Sequence, residues 1–113
     1  MSELRVTRIQ DQLQREISEL ILSGDIKDPR VNSFVSVTRI SLSNDLTIAK
    51  VFVSTFEEGP ALNKAVDGLN SAAPYIQGII GRKLKMRNTV KLSFIADEGI
   101  KKGFELTRKM KDL

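Results

Sequence analysis

An apolar stripe of helical period runs from Leu62 to Leu84, and a proline stands in its middle. Leu62, Ala65/Val66, Leu69 and Ala72/Ala73 precede Pro74; Ile76, Ile79/Ile80 and Leu84 follow it. Proline lacks a backbone N–H, and its ring clashes with the carbonyl four residues back. The spacing therefore predicts two helical pieces with a sharp kink at Ala72-Ala73-Pro74, the second piece running to about Met86. A fresh helix start there would present the N–H groups of Tyr75, Ile76 and Gln77, a position that suits a phosphate. The plainer alternative is that Pro74 only bends two core helices.

The flanking segments read more simply. Ile9, Leu13, Ile17 and Leu20/Ile21 recur at helical spacing and predict an amphipathic first helix over about 3–23, ended at Ser23-Gly24. Residues 33–42 and 47–55 alternate and are rich in β-branched side chains, so they read as strands joined by the turn Ser43-Asn44-Asp45-Leu46. The apolar phase slips between Val37 and Ile40, which places a bulge near Arg39. Val90, Leu92, Phe94 and Ala96 give a third strand, and Ile100, Phe104, Leu106, Met110 and Leu113 a final helical segment. The 113 residues suffice for one domain, 1–113. An α+β fold follows, with a three-stranded sheet covered by helices on one face.

Composition removes most chemistry. The chain has no cysteine and no histidine. Thiol catalysis, zinc–thiolate sites, a Ser–His–Asp triad and histidine metal sites are excluded. Glu57-Glu58 and Asp97-Glu98 are adjacent carboxylates on turns, which diverge into solvent. No catalytic residue, metal, cofactor or small-molecule substrate is expected. No apolar run approaches the ~18 residues of a membrane span, and the amino-terminal residues do not read as a signal peptide. A protein that stays in the cytoplasm is expected.

The charge is +4, and it is unevenly placed. Residues 1–56 carry seven basic and seven acidic groups; residues 57–113 carry eleven and seven. Arg82, Lys83, Lys85, Arg87 and Lys91 fall in a window, 81–91, without an acid. Such a stripe suits a polyanion, or is a solvated helix face. Arg5, Arg8 and Arg15 are secondary cations on the first helix, partly offset by Glu16 and Glu19. With no tryptophan, one tyrosine and phenylalanines mostly in apolar phase, base stacking is not expected, and any binding should rest on phosphate contacts and shape.

The element order is that of KH-type RNA-binding domains, whose GxxG string is a loop between two helices. Gly78-Ile79-Ile80-Gly81 matches the string, but the apolar period runs through it, so two small residues packing a helix closely is the better reading. Lys102-Gly103-Phe104 echoes an RNA-recognition-motif signature and stops there.

"IKDPRV" at 26–31, "DLTIAKVFVS" at 45–54, the run from Gly81 to Arg87, and Leu92-Ser93-Phe94-Ile95-Ala96-Asp97 together resemble the ribosome-binding factor A family. The likeness covers roughly residues 4–106. It implies a KH-like fold of the second type, with a kinked helix pair in place of the GxxG loop. It also implies a non-enzymatic factor that binds the small (30S) ribosomal subunit and its 16S rRNA. Such factors assist late maturation and 5′-end processing, and matter most in the cold. In the family the kink has the form Ala-x-Gly, which falls here on Ala72, Ala73 and Pro74. Proline thus replaces the kink glycine, and Val90-Lys91 stands where members often have Pro-Glu.

The expected RNA contacts are Arg82, Lys83, Lys85, Arg87 and Lys91, with Arg5, Arg8 and Arg30 beside them. Arg30 is expected either to pair with Asp28 or to reach RNA. The chain is expected to act as a monomer. The rival readings are a free-standing KH-like module for single-stranded RNA and a protein-interaction module docking by the sheet's open face or edge.

Overall fold

A computed structural model of the protein describes residues 3–32, 34–57, 60–86 and 89–97. The elements are α1 (Glu3–Ser23), β1 (Val35–Leu42), β2 (Ile48–Thr55), α2 (Ala61–Lys83) and β3 (Lys91–Ala96). The expected final helical segment lies outside the described residues, as do Arg87, Glu58 and Lys102-Gly103-Phe104.

The strands form one sheet in the order β1-β2-β3. β1 and β2 pair antiparallel, whereas β2 and β3 run parallel, with α2 as the crossover. Every second strand residue is buried: Val35, Val37, Ile40 and Leu42 on β1, Ala49, Val51 and Val53 on β2, Leu92 and Phe94 on β3. They meet Leu13, Ile17, Leu20 and Ile21 of α1 and Leu62, Leu69, Ile76 and Ile80 of α2 in a single core cluster. Both helices therefore cover one face, and the other face is open. The phase slip is a bulge: Val37 pairs with Val53 and Arg39 with Phe52, so Thr38 has no partner residue on β2. Gly24, at φ 76, ends α1 as expected.

The two expected helical pieces form a single helix, α2, with Pro74 inside it. Proline supplies no N–H at position 74, so the ladder bond to the Asn70 carbonyl is absent there, and the residue is exposed. The proline costs about 3 kcal/mol. Beyond it, Ile76 and Ile80 are buried, each worth roughly 1.5–3 kcal/mol. Burial on both sides therefore holds the helix through the proline. Tyr75, Ile76 and Gln77 lie within the ladder, so no new helix start is presented there. Ala72, Ala73 and Pro74 are interior residues of one helix rather than a connection between two.

The glycines also differ from expectation. Gly78 and Gly81 lie in α2, but a Cβ at Gly81 would meet open space, and one at Gly78 only its own Arg82, at 3.8 Å. Gly68 is where close packing occurs. A Cβ there would sit 3.0 Å from Val31 Cγ2 and 3.1 Å from the Asp28 carboxyl. The 26–31 loop can press on α2 because position 68 has no side chain.

Candidate nucleic-acid interface

On each edge of the sheet, amide side chains from the helix beside it bond some of the outward backbone groups. On the β1 edge, Gln10 Oε1 accepts from Leu42 N–H at 2.9 Å, and Gln14 Nε2 donates to the Val37 carbonyl at 3.3 Å. On the β3 edge, Asn70 takes both groups of Phe94, accepting from its N–H at 2.8 Å and donating to its carbonyl at 3.0 Å. Gln77 Oε1 accepts from Leu92 N–H at 2.9 Å. Exposed strand edges are templates for another strand; here Leu42 N–H and the Val37 carbonyl on one edge, and Leu92 N–H and both groups of Phe94 on the other, are already bonded. Sequence reasoning missed these four residues because glutamine and asparagine on a helix look like ordinary polar-face residues.

The open face holds Ser36, Arg39 and Ser41 from β1, Ile48, Lys50, Phe52 and Ser54 from β2, and Lys91, Ser93 and Ile95 from β3. None of the three strands contains an acidic residue. The Arg39 guanidinium lies over the Phe52 ring, 4.0 Å from its centroid, a cation–π contact. Asp97 sits just past β3, with its carboxylate bonded to Thr38. The expectation that phenylalanines lie in apolar phase holds for buried Phe94 but not for Phe34 and Phe56. Those are 63% and 85% exposed and flank the paired residues Val35 and Thr55 at one end of the hairpin.

The cations read as one stripe in sequence are divided between two layers. Arg82 and Lys83 are in the last turn of α2, where cations complement the helix dipole. Lys91 is on the open face of the sheet. Between them, Lys85 occupies the left-handed region at φ 51. The Met86 N–H reaches the Gly81 carbonyl at 3.1 Å and the Lys85 N–H the Arg82 carbonyl at 3.4 Å, a Schellman-type helix end. Glycine usually holds the position that Lys85 fills, because a side chain there costs about 1–2 kcal/mol.

Lys83 and Arg30, both expected RNA contacts, each hold a carboxylate within the protein. Lys83 Nζ lies 3.1 Å from Glu16 Oε2 on α1, and that carboxylate raises the lysine's pKa. Arg30 grips Asp28 through Nε to Oδ1 at 2.9 Å and Nη2 to Oδ2 at 2.7 Å, with its backbone N–H on the same carboxylate. Nη2 also reaches Ser71 Oγ at 3.4 Å. The open question about Arg30 is thus answered by Asp28. The arginine's side-chain hydrogen bonds, then its backbone N–H, lower the Asp28 pKa to about 2. Arg5 and Arg8 are exposed near the start of α1. Among the described residues no group of three or more carboxylates could hold a metal ion, and no helix is long and apolar enough to cross a membrane.

The profile of the ribosome-binding factor A family matches residues 5–110. The chain belongs to that family. The Treponema denticola ribosome-binding factor A is 42% identical over 113 residues, all of this chain and 86% of the relative. The crystal structure of the Thermus thermophilus ribosome-binding factor A superposes with a TM-score of 0.67 at 27% identity, covering 80% of this chain and 93% of that one. A homology model of the Thermus thermophilus factor, fitted into a cryo-electron-microscopy map of a 30S–RbfA complex, superposes at TM-score 0.59 and 28% identity, over 78% and 90% of the two chains. "IKDPRV", one of the strings that carry the family resemblance, forms a loop docked on α2 at Gly68 and Ser71.

Proposed function

We propose that the chain is a non-catalytic maturation factor that binds the small (30S) ribosomal subunit through its 16S rRNA. On this reading it assists late 5′-end maturation and processing, acts in the cytoplasm as a monomer on a KH-like frame, and is needed most in the cold. The observation that carries the reading is the likeness to the Thermus thermophilus factor fitted into a 30S complex. The arrangement of charge supports it. Arg82, Lys85 and Lys91 are exposed cations outside every ion pair of the described residues. They are the proposed phosphate contacts, with Arg87 beside them in sequence and Arg5 and Arg8 as secondary candidates. Lys83 and Arg30 are left out of this set, because each already holds a carboxylate. A protein-interaction module working by strand addition is disfavoured by the edge groups that helix amides already hold.

Gradient sedimentation of the tagged chain with cell extract tests the reading. Co-migration with free small subunits, and not with joined ribosomes, is the expected result. Protein remaining at the top of the gradient would sink the proposal.

A further inference from the structure

Resting on that reading, the geometry points to a second contact surface for RNA: a diagonal of three cations, Arg39, Lys50 and Lys91, across the open face of the sheet. The pairing register places them. Arg39 stands opposite Phe52, Ser41 and Ser93 flank Lys50, and Lys91 stands opposite Ile48. Measured along β2, the three cations therefore lie level with positions 52, 50 and 48, one on each successive strand. Each step is one strand across and two residues along. With strands ~4.8 Å apart and ~3.3 Å per residue, neighbouring Cα atoms on the diagonal are separated by about 8 Å. Long side chains bridge such intervals, so the line offers a repeating positive charge across the full width of the sheet.

The occupant that fits is an RNA strand held by its phosphates. The three strands contain no acid to oppose it, and Ser41 and Ser93 place a hydroxyl donor on either side of Lys50. Among the described residues, the acids just beyond the strands are Asp97, bonded to Thr38, Asp45, engaged by Ser43 and Thr47 in the β1–β2 turn, and Glu57, which accepts from Asn32 past the end of β2. Helix amides already occupy part of both edges, whereas the face is open across its full width. Arg39 lies over the Phe52 ring, which holds its guanidinium against that face.

The test is equilibrium binding of the full chain to purified small subunits over a salt series. The variants are Arg39→Gln, Lys50→Gln and Lys91→Gln, with Lys64→Gln, an exposed lysine of α2, as the control. Each lost phosphate contact removes about 0.7–0.9 from the slope of log K against log salt. The expected result is that decrease in each of the three variants and none in the control. Lys50→Gln is decisive, because its exposed side chain is in no ion pair of the described residues and its loss leaves the fold intact. Wild-type binding with three unchanged slopes would overturn the diagonal, and with it Lys91 as a phosphate contact, and leave subunit binding as the proposed function. No binding by the wild type would overturn both. Binding that depends on Lys50 yet survives nuclease digestion would assign the face to an acidic protein and overturn the RNA assignment.

Discussion

Thr38 and Asp97 meet over a strand that separates their own: Thr38 Oγ1 lies 2.6 Å from Asp97 Oδ2. The bulge makes this possible. Thr38 has no partner residue on β2, and its hydroxyl is also 3.2 Å from the Phe52 carbonyl. Asp97 is anchored in turn by its N–H on the Val53 carbonyl at 2.7 Å. A partly buried hydrogen bond to a carboxylate is worth about 1.5–3 kcal/mol. Thr38→Val is expected to lose that much in urea unfolding, and Thr38→Ser to keep most of it.

The bonded edge groups make a prediction in amide exchange. Asn70→Ala leaves the outward N–H and carbonyl of Phe94 without their partner, at a cost of about 2 kcal/mol. The Phe94 amide is expected to exchange faster, while the Leu92 amide, held by Gln77, changes less. Gln10→Ala should do the same to the Leu42 amide on the opposite edge.

Three glycines of α2 should respond differently to alanine. Gly78→Ala and Gly81→Ala enter open or nearly open space and gain about 0.5–1 kcal/mol each from helix propensity. Gly68→Ala would push a methyl against Val31 and the Asp28 carboxylate that Arg30 holds in place. It is expected to fall at least about 1 kcal/mol behind Gly81→Ala in thermal unfolding.

Lys83 and Lys85 are near neighbours in sequence with opposite expected behaviour. Lys85→Gly relieves a left-handed backbone and should stabilise the chain by about 1 kcal/mol, yet flatten the salt dependence of subunit binding. Lys83→Gln strands the Glu16 carboxylate; it should lower the urea midpoint and leave the salt slope unchanged. Adding Glu16→Gln should restore the midpoint.

Asp28 sets an acid limit. Its folded pKa is about 2 against an ordinary 3.8, chiefly because of the Arg30 side chain. A depressed carboxyl pKa adds stability above the unfolded value, and that stability is lost as pH falls through the folded one. Urea midpoints of the wild type and Asp28→Asn should therefore differ at pH 6 and converge between about pH 4 and pH 2. Arg30→Gln should return the Asp28 titration, followed by NMR, toward its ordinary range.

Much of this fold was legible in the sequence. The span of α1, its glycine end, the hairpin and the bulge beside Arg39 all follow from periodicity, which reports each residue's own environment. Pro74 was misleading because its penalty is local, whereas the burial that outweighs it lies further on, at Ile76 and beyond. The family was legible in "IKDPRV" and the hairpin string. The site was less so. Lys83 and Arg30 looked available because their partners, Glu16 and Asp28, become visible only when helices and loops are set against each other. Arg39 and Lys50 read as ordinary solvent-facing strand residues. The absence of acids from all three strands was the signal that could have drawn them in, but their alignment depends on register, which no single strand encodes.

The four amides at the sheet edges have a consequence for the molecule in a crowd. A small sheet with free margins is a seed: each chain that adds a strand creates a new margin for the next. Here a second copy would first have to strip Gln10 and Gln14, or Asn70 and Gln77, from bonds they already make. Adding a fourth strand therefore costs bonds already made on either margin, which weighs against the chain serving as its own template.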